Sequence, residues 1–100
     1  MLAQAPMALV VVADTATSSS YFQQDCAAAI ENILLAARAL GLGTVWLGVY
    51  PSEERVKGIA SLFDIPAPYV PLAIIALGHP AEEKGRTQRW NDTKVHRNAW

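Results

Sequence analysis

The chain has 100 residues, of which 52% are hydrophobic and 17% are charged, and its formal net charge is −1. This length fits a single domain, the apolar content excludes a disordered chain, and the near-neutral charge argues against nucleic-acid and anionic-membrane partners. A single cysteine cannot form an internal disulfide, which favours a reducing, cytoplasmic location.

The apolar residues form no segment long enough to span a membrane. The longest apolar stretches, Met7–Ala13 and Val70–Leu77, are much shorter than the roughly 18–20 residues that cross a bilayer. The first residues also lack the positive charge of a signal peptide. A domain of this size has limited interior volume. We therefore expect part of the apolar surface to meet a partner, so that the chain is either an oligomer or a piece of something larger.

The first two predicted elements are a strand and a long helix. Met7–Ala13 is an unbroken, valine-rich run, which is typical of a strand buried on both faces. A helical pattern then runs from Phe22 or Gln24 to Leu40, and Gly41 follows it, where a helix C-terminus favours glycine. The few polar residues of this helix share one narrow stripe, so we predict burial on several sides. We expect a homodimer that packs through the helix Gln24 to Leu40.

Two further strands and a second helix complete the predicted core. Thr44–Tyr50 is the second strand candidate, and Val70–Leu77 is predicted to be a third, buried strand. Between them, Ser52 is a good N-cap for a helix, whose apolar face comprises Val56, Ile59, Ala60 and Phe63. Strands that alternate with helices predict an α/β layered core over residues 1–78.

The C-terminal residues differ from the core in charge and pattern. Residues 1–78 carry a net charge of −3, whereas residues 79–100 carry a net charge of +2. No hydrophobic periodicity of a helix or strand is present in residues 79–100. We expect this segment to be an extended basic arm attached to the core of a single domain.

Few side chains suit catalysis or metal binding on their own. The Gly-x-Ser-x-Gly motif of serine hydrolases is absent, and His79 and His96 have no cysteine or carboxylate cluster at metal-ligand spacing, so no metal site is predicted. Cys26 lies at the start of the apolar helix and is expected to be a small hydrophobic residue rather than a nucleophile. The glycines of Gly41-Leu42-Gly43 follow a helix instead of a strand, which does not fit a dinucleotide-binding motif.

Two segments are candidates for ligand binding, and each has two interpretations. Gly41–Gly48 is either a helix end followed by a core strand, or a strand in which Gly48 lets a flat ligand approach the backbone. Lys84–Trp90 is either a solvated arm or a phosphate-binding segment, because guanidinium groups offer paired N–H donors to phosphate.

Taken together, several segments resemble the C-terminal half of the nitroreductase family of FMN-dependent oxidoreductases. The most specific part runs from the long helix into the second strand and comprises Asn32–Ala37, Ala39–Gly43 and Val45–Gly48. Other segments match in chain order: Ala5-Pro6, Tyr21–Asp25, Pro51–Val56, Pro71–Pro80, Val95–Asn98 and Trp100. The resemblance therefore covers nearly the whole chain.

The resemblance implies an α+β fold with flanking helices and an intertwined homodimer that binds FMN at its interface. It implies ping-pong, two-electron chemistry: NAD(P)H reduces the flavin, which then reduces a nitroaromatic, quinone or similar small molecule. Backbone at Trp46, Leu47 and Gly48 is implied to pass the N5 and O4 edge of the isoalloxazine, and cations of the arm to contact the FMN phosphate. Arg89 aligns with one such cation, and Arg86 lies one residue before the position of the other. No catalytic side chain is implied, because the flavin carries the chemistry.

The chain lacks two motifs that the family has in its N-terminal half. These are a paired-arginine motif for the flavin phosphate and an Ala-Pro-Ser…Asn-x-Gln-Pro-type loop that lines the cofactor. Each lost charge-assisted contact weakens binding by roughly 1.5–3 kcal/mol. We therefore expect a partial nitroreductase-like domain with two alternative functions. It is either an FMN-dependent reductase or a flavin-free remnant that acts as a dimeric structural or interaction module.

Overall fold

A three-stranded antiparallel sheet forms the centre of the fold. The computed structural model describes residues 2–100, in which strands β1 (Met7–Asp14), β2 (Gly43–Gly48) and β3 (Tyr69–Gly78) adopt the order β1-β3-β2. Helix α1 (Phe22–Ala39) follows β1, helix α2 (Glu53–Leu62) follows β2, and short 3-10 helices cover Leu2–Gln4 and Asp92–Lys94. The predicted α+β class with a three-strand core is confirmed.

Local sequence signals mark the start of α2 and the end of α1. Helix α2 begins after Ser52, whose hydroxyl accepts a hydrogen bond from the backbone N–H of Arg55 at 3.5 Å. Helix α1 ends in a Schellman motif, because Leu42 N–H donates to the Ala37 carbonyl at 2.9 Å. Gly41 adopts a φ of +75° in that motif, a conformation that glycine adopts without steric cost.

The hydrophobic core lies between α1 and the central strand β3. Ile30 of α1 is fully buried against Ala73 and Ile75, which point to the same face of the sheet. All side chains from Pro71 to Ala76 are buried, as predicted for the third strand. Pro71 stands beside a register shift between Val11 and Val12 of β1, and a bulge is one of the few places where a sheet tolerates proline.

Strand β1 is less buried than its valine-rich sequence predicts. It forms an edge of the sheet, and Met7, Leu9 and Val12 are exposed, Met7 by 54%. The prediction of burial on both faces is therefore wrong for β1 in the single chain. Of the three strands, only the central strand β3 has a neighbouring strand on each side. It is also the strand with a continuous buried run, from Pro71 to Ala76.

Helix α1 buries only one stripe of its surface within the chain. Ile30 and Ala37 are buried, whereas Leu35 is 59% exposed and Leu40, its C-cap residue, is also exposed. A single chain thus does not supply the burial on several sides that the sequence predicts for this helix. None of the helices among residues 2–100 combines the length and the hydropathy that a bilayer crossing requires.

Residues 79–100 project from the core. All of them are exposed, and their one regular element is the 3-10 helix Asp92–Lys94. The radius of gyration is 16.5 Å, compared with about 13 Å for a compact domain of 100 residues. Because the arm extends away from the core instead of packing on it, both the arm and the core have surface available to another molecule.

Candidate functional site

The free edge of β2 presents main-chain hydrogen-bonding groups. The Val49 N–H donates to the Leu72 carbonyl at 3.0 Å, which fixes the hydrogen-bonded positions of the β2–β3 ladder. Because these positions alternate in an antiparallel pair, the N–H and C=O groups of Trp46 and Gly48 point away from β3. Among residues 2–100, no strand pairs with the other side of β2. Trp46 and Gly48 therefore offer backbone donors to a ligand at this edge.

Gly48 has open space where a side chain would stand. A Cβ atom built at Gly48 meets no other heavy atom within 4 Å, and its φ lies outside the left-handed region. Neither the backbone conformation nor packing within this chain therefore requires glycine here. A requirement for glycine would have to come from a molecule that approaches the backbone, which is the ligand-binding interpretation of this residue.

A cavity of about 400 Å³ opens beside Trp46 and Gly48 on the α1 side of the sheet. Its volume falls within the usual range for small-molecule sites. Trp46 is 40% exposed, and its side chain shares a face with the buried Ile75, its cross-strand partner. The residues that line the cavity are Gln23, Ala27, Trp46, Gly48, Tyr50, Pro51 and Leu72.

Two polar lining residues, Gln23 and Tyr50, were not predicted as site residues. The Gln23 side-chain amide donates to the Tyr50 hydroxyl at 3.2 Å. The Tyr50 ring also packs edge-on against Phe22 with 5.5 Å between the ring centroids. These contacts join the first turn of α1 to the turn that follows β2. Sequence spacing gives no sign of a pairing across 27 residues. Leu47 lies opposite Ile74, on the other face of the sheet, and does not line this cavity.

Arg55 also contacts the candidate site. Its guanidinium Nη1 donates to the Gly48 carbonyl oxygen at 3.2 Å. The two residues are seven positions apart, on either side of the turn between β2 and α2. The contact places a permanent positive charge at the β2 edge, because a guanidinium does not lose its proton in proteins.

Arg86 and Arg89, the arm cations expected to bind phosphate, are not among the residues that line the cavity beside Trp46. Arg86 and Arg89 are exposed and line neither the cavity beside Trp46 nor a second, larger cavity of about 1060 Å³. That second cavity lies where the arm leaves β3, and its cationic lining residues include Arg38 and Lys84. Of the predicted site residues, Trp46 and Gly48 thus line the same cavity, whereas Arg86 and Arg89 line neither.

Cys26 has the environment of a core residue. Its side chain packs against the cluster around Ile30, and burial, followed by the negative charge of Asp25, raises the pKa of its thiol. A raised pKa keeps the thiol protonated and makes it a poor nucleophile at neutral pH. Among residues 2–100, no group of three or more histidine, cysteine, aspartate or glutamate side chains could hold a metal ion.

Comparison with curated proteins identifies a close archaeal relative. The protein named "Putative NADH dehydrogenase/NAD(P)H nitroreductase" of Methanothermobacter thermautotrophicus is 44% identical over an alignment of 102 positions. The alignment covers 100% of this chain and 53% of the relative. The chain therefore spans about half the length of that protein.

Two solved structures have the same fold over nearly the whole chain. A protein of the same name from Parabacteroides distasonis is 36% identical, with a TM-score of 0.93 over 97% of this chain and 58% of that chain. An FMN-dependent nitroreductase from Clostridium difficile is 31% identical, with a TM-score of 0.81 over 96% of this chain and 59% of that chain. The model of the Nitroreductase family matches residues 1–79, which include all three strands and both helices. The sequence resemblance is thus confirmed, and the chain belongs to the nitroreductase family.

Proposed function

We propose that this chain carries the ring-binding part of an FMN-dependent NAD(P)H oxidoreductase. Its β2 edge would hold the isoalloxazine through backbone N–H groups, and the family relationship supports FMN as the cofactor. When bound, FMN supplies two-electron transfer from NAD(P)H to a nitroaromatic or quinone-like acceptor in a ping-pong cycle. The observation that carries the proposal is the open space at Gly48 beside the outward-facing N–H groups of β2.

The geometry of this edge fits a flat, electron-accepting ring. Backbone donors held by a sheet are oriented before any ligand arrives, and such donors stabilise negative charge that develops during reduction. Trp46 and Gly48 supply the donors, and the lack of a Cβ at Gly48 allows close approach. No side-chain acid or base is needed for such a reaction, because the cofactor carries the chemistry.

The phosphate part of the site requires a second element. Arg86 and Arg89 have the guanidinium chemistry that suits phosphate, but both belong to the arm and lie in neither cavity of the single chain. We propose that the cofactor phosphate is held by these arginines when the arm packs against a second copy of the chain. The exposed apolar surface of α1, including Leu35 and the flanking Leu40, supports α1 as the dimer contact.

Titration of the purified chain with FMN tests this proposal. Flavin fluorescence reports binding, and light scattering of the same samples reports the oligomeric state. Stoichiometric quenching in a dimer, followed by loss of the visible flavin absorbance on addition of NADH or NADPH under anaerobic conditions, is the expected result. A folded dimer that leaves the FMN fluorescence unchanged would instead support the alternative function, a flavin-free dimeric interaction module.

The phosphate assignment has a separate test. Arg89→Ala is expected to weaken FMN binding about tenfold or more, as loss of one charge-assisted hydrogen bond of about 1.5–3 kcal/mol implies. Riboflavin, which has no phosphate, is expected to bind this variant and the wild-type chain equally. Arg97→Ala removes one charge from the same arm and serves as the matched control. Equal loss of affinity for FMN and riboflavin would contradict the assignment.

A further inference from the structure

We infer that Arg55 is a positioning residue for the flavin-binding edge of β2, which it holds through the Gly48 carbonyl. This inference rests on the proposed function and goes beyond it, because it assigns a role to a side chain on α2. The observation behind it is the hydrogen bond of 3.2 Å from the Arg55 guanidinium to the Gly48 carbonyl oxygen.

Without Arg55, the Gly48 carbonyl oxygen would be a free hydrogen-bond acceptor on the ligand-binding edge of β2. Along the outer side of β2, donors and acceptors alternate, so the Gly48 carbonyl points in the same direction as the Gly48 and Trp46 N–H groups. A free carbonyl dipole there would repel the oxygen atoms and the developing negative charge of an isoalloxazine. With Arg55 bound to it, this edge instead presents N–H donors and a cation.

Arg55 also stabilises the turn between β2 and α2. The backbone N–H of Arg55 donates to the Ser52 hydroxyl at 3.5 Å. At the other end of the turn, the Val49 and Tyr50 N–H groups both donate to the Leu72 carbonyl at 3.0 Å. The bond to Gly48 therefore closes a turn that is anchored at both ends. Loss of this bond frees the last residue of β2, whose main chain forms the proposed ligand contact.

The charge of Arg55 is not cancelled by a carboxylate. The two ion pairs among residues 2–100 are Glu53–Lys57 and Glu82–Lys84, and Arg55 takes part in neither. One guanidinium N–H reaches Gly48, and a guanidinium has five such donors. The positive charge thus stands beside the edge at all working pH values and favours the reduced over the oxidised form of a bound flavin.

Arg55→Met tests the role, with Lys57→Met as the matched control. Both changes replace an exposed cation on α2 with a flexible apolar chain, but only Arg55 contacts Gly48. In the chain without flavin, we expect Arg55→Met to speed hydrogen exchange at the Val49 and Tyr50 amides about tenfold. Lys57→Met is expected to leave both exchange rates unchanged. Equal exchange in the two variants would overturn the positioning role, whatever the chain binds.

The FMN complex provides the second measurement. A tenfold loss of preference for the reduced flavin corresponds to a midpoint potential lowered by about 30 mV for a two-electron couple. We expect that shift in Arg55→Met, a smaller one in Arg55→Lys, which keeps the charge, and none in Lys57→Met. An unchanged potential in Arg55→Met would refute the electrostatic effect on the flavin. If the wild-type chain binds no FMN, the proposed function and this electrostatic effect both fail, while the exchange data still decide whether Arg55 holds the edge.

Discussion

Replacement of Gly48 by alanine separates ligand binding from folding, because the structure predicts opposite effects on the two. A Cβ at Gly48 meets nothing within 4 Å, and the φ of Gly48 suits an L-residue. Under those conditions Gly→Ala stabilises a protein by about 0.4–1 kcal/mol, chiefly because the unfolded chain loses conformational freedom. Gly78 is the contrasting case, since a Cβ there would lie 2.8 Å from Pro6 Cδ and 3.1 Å from Pro6 Cγ.

The expected magnitudes follow from these distances. For a domain of this size, Gly48→Ala should raise the midpoint of thermal unfolding by about 2–8 °C. Gly78→Ala forces a side chain against the Pro6 ring and should lower stability by about 1–3 kcal/mol, the usual cost of overpacking. Circular dichroism at matched protein concentration measures both midpoints.

The effect on flavin should have the opposite sign at Gly48. The added methyl group projects toward the cavity beside Trp46, where the proposed ring would contact the backbone. Overpacking of about 1–3 kcal/mol at that contact would weaken FMN binding by about 5-fold to about 150-fold. A Gly48→Ala chain that is more stable and binds FMN as tightly as the wild type would refute the ligand-contact role. A destabilised Gly48→Ala chain would refute the structural reasoning itself.

Three further measurements test the packing, the helix cap and the electrostatics. Ile30→Ala should lower the free energy of unfolding by about 2–5 kcal/mol in denaturant titrations. Leu62→Ala, at a 70% exposed position of α2 outside the proposed dimer contact, should change it by less than about 0.5 kcal/mol, and equal losses would contradict the assigned core. Ser52→Ala should lower the free energy of unfolding by about 0.5–1 kcal/mol, a loss at the low end for helix caps because the hydrogen bond is long at 3.5 Å. An unchanged free energy of unfolding would show that the cap contributes nothing. The hydrogen bond from the Thr17 hydroxyl holds the pKa of Asp14 below its usual range. Asp14 therefore stabilises the folded state at pH values above its unfolded-state pKa, and this stabilisation is lost as the pH falls through its folded-state pKa. Thr17→Val should raise the Asp14 pKa in an NMR titration, and an unchanged value would contradict this cause.

Local signals in the sequence predict the ends of elements well. Ser52 and Gly41 mark the start of α2 and the end of α1, because a cap depends on hydrogen bonds within a few residues. The buried strand Val70–Leu77 is also predictable, since a long apolar run suits a strand that is covered on both faces. These features are predictable because each depends only on residues within one short segment of the chain.

The sheet order and the site contacts depend on residues far apart in the chain. The valine-rich β1 looks as buried as β3 by composition, but only the pairing order shows that β1 is an edge strand. The bond between Gln23 and Tyr50 likewise joins two elements that only the fold brings together. The contact between Arg55 and Gly48 spans just seven residues, yet it depends on the turn between β2 and α2. Sequence therefore identifies the strand of the candidate site but not the side chains that support it.

The separation of the two proposed flavin contacts within one chain leads to a prediction about assembly. If Trp46 and Gly48 hold the ring of FMN and Arg86 and Arg89 of a second copy hold its phosphate, only the dimer contains a complete site. A ligand that binds only one state stabilises that state by about 2.7 kcal/mol at a free concentration of one hundred times its dissociation constant. FMN at that concentration should thus strengthen dimerisation about 100-fold for each site filled. Sedimentation equilibrium with and without FMN measures this effect, and riboflavin should produce less of it. FMN binding to a monomer with no change in its association would show instead that one chain folds its own arm over the site.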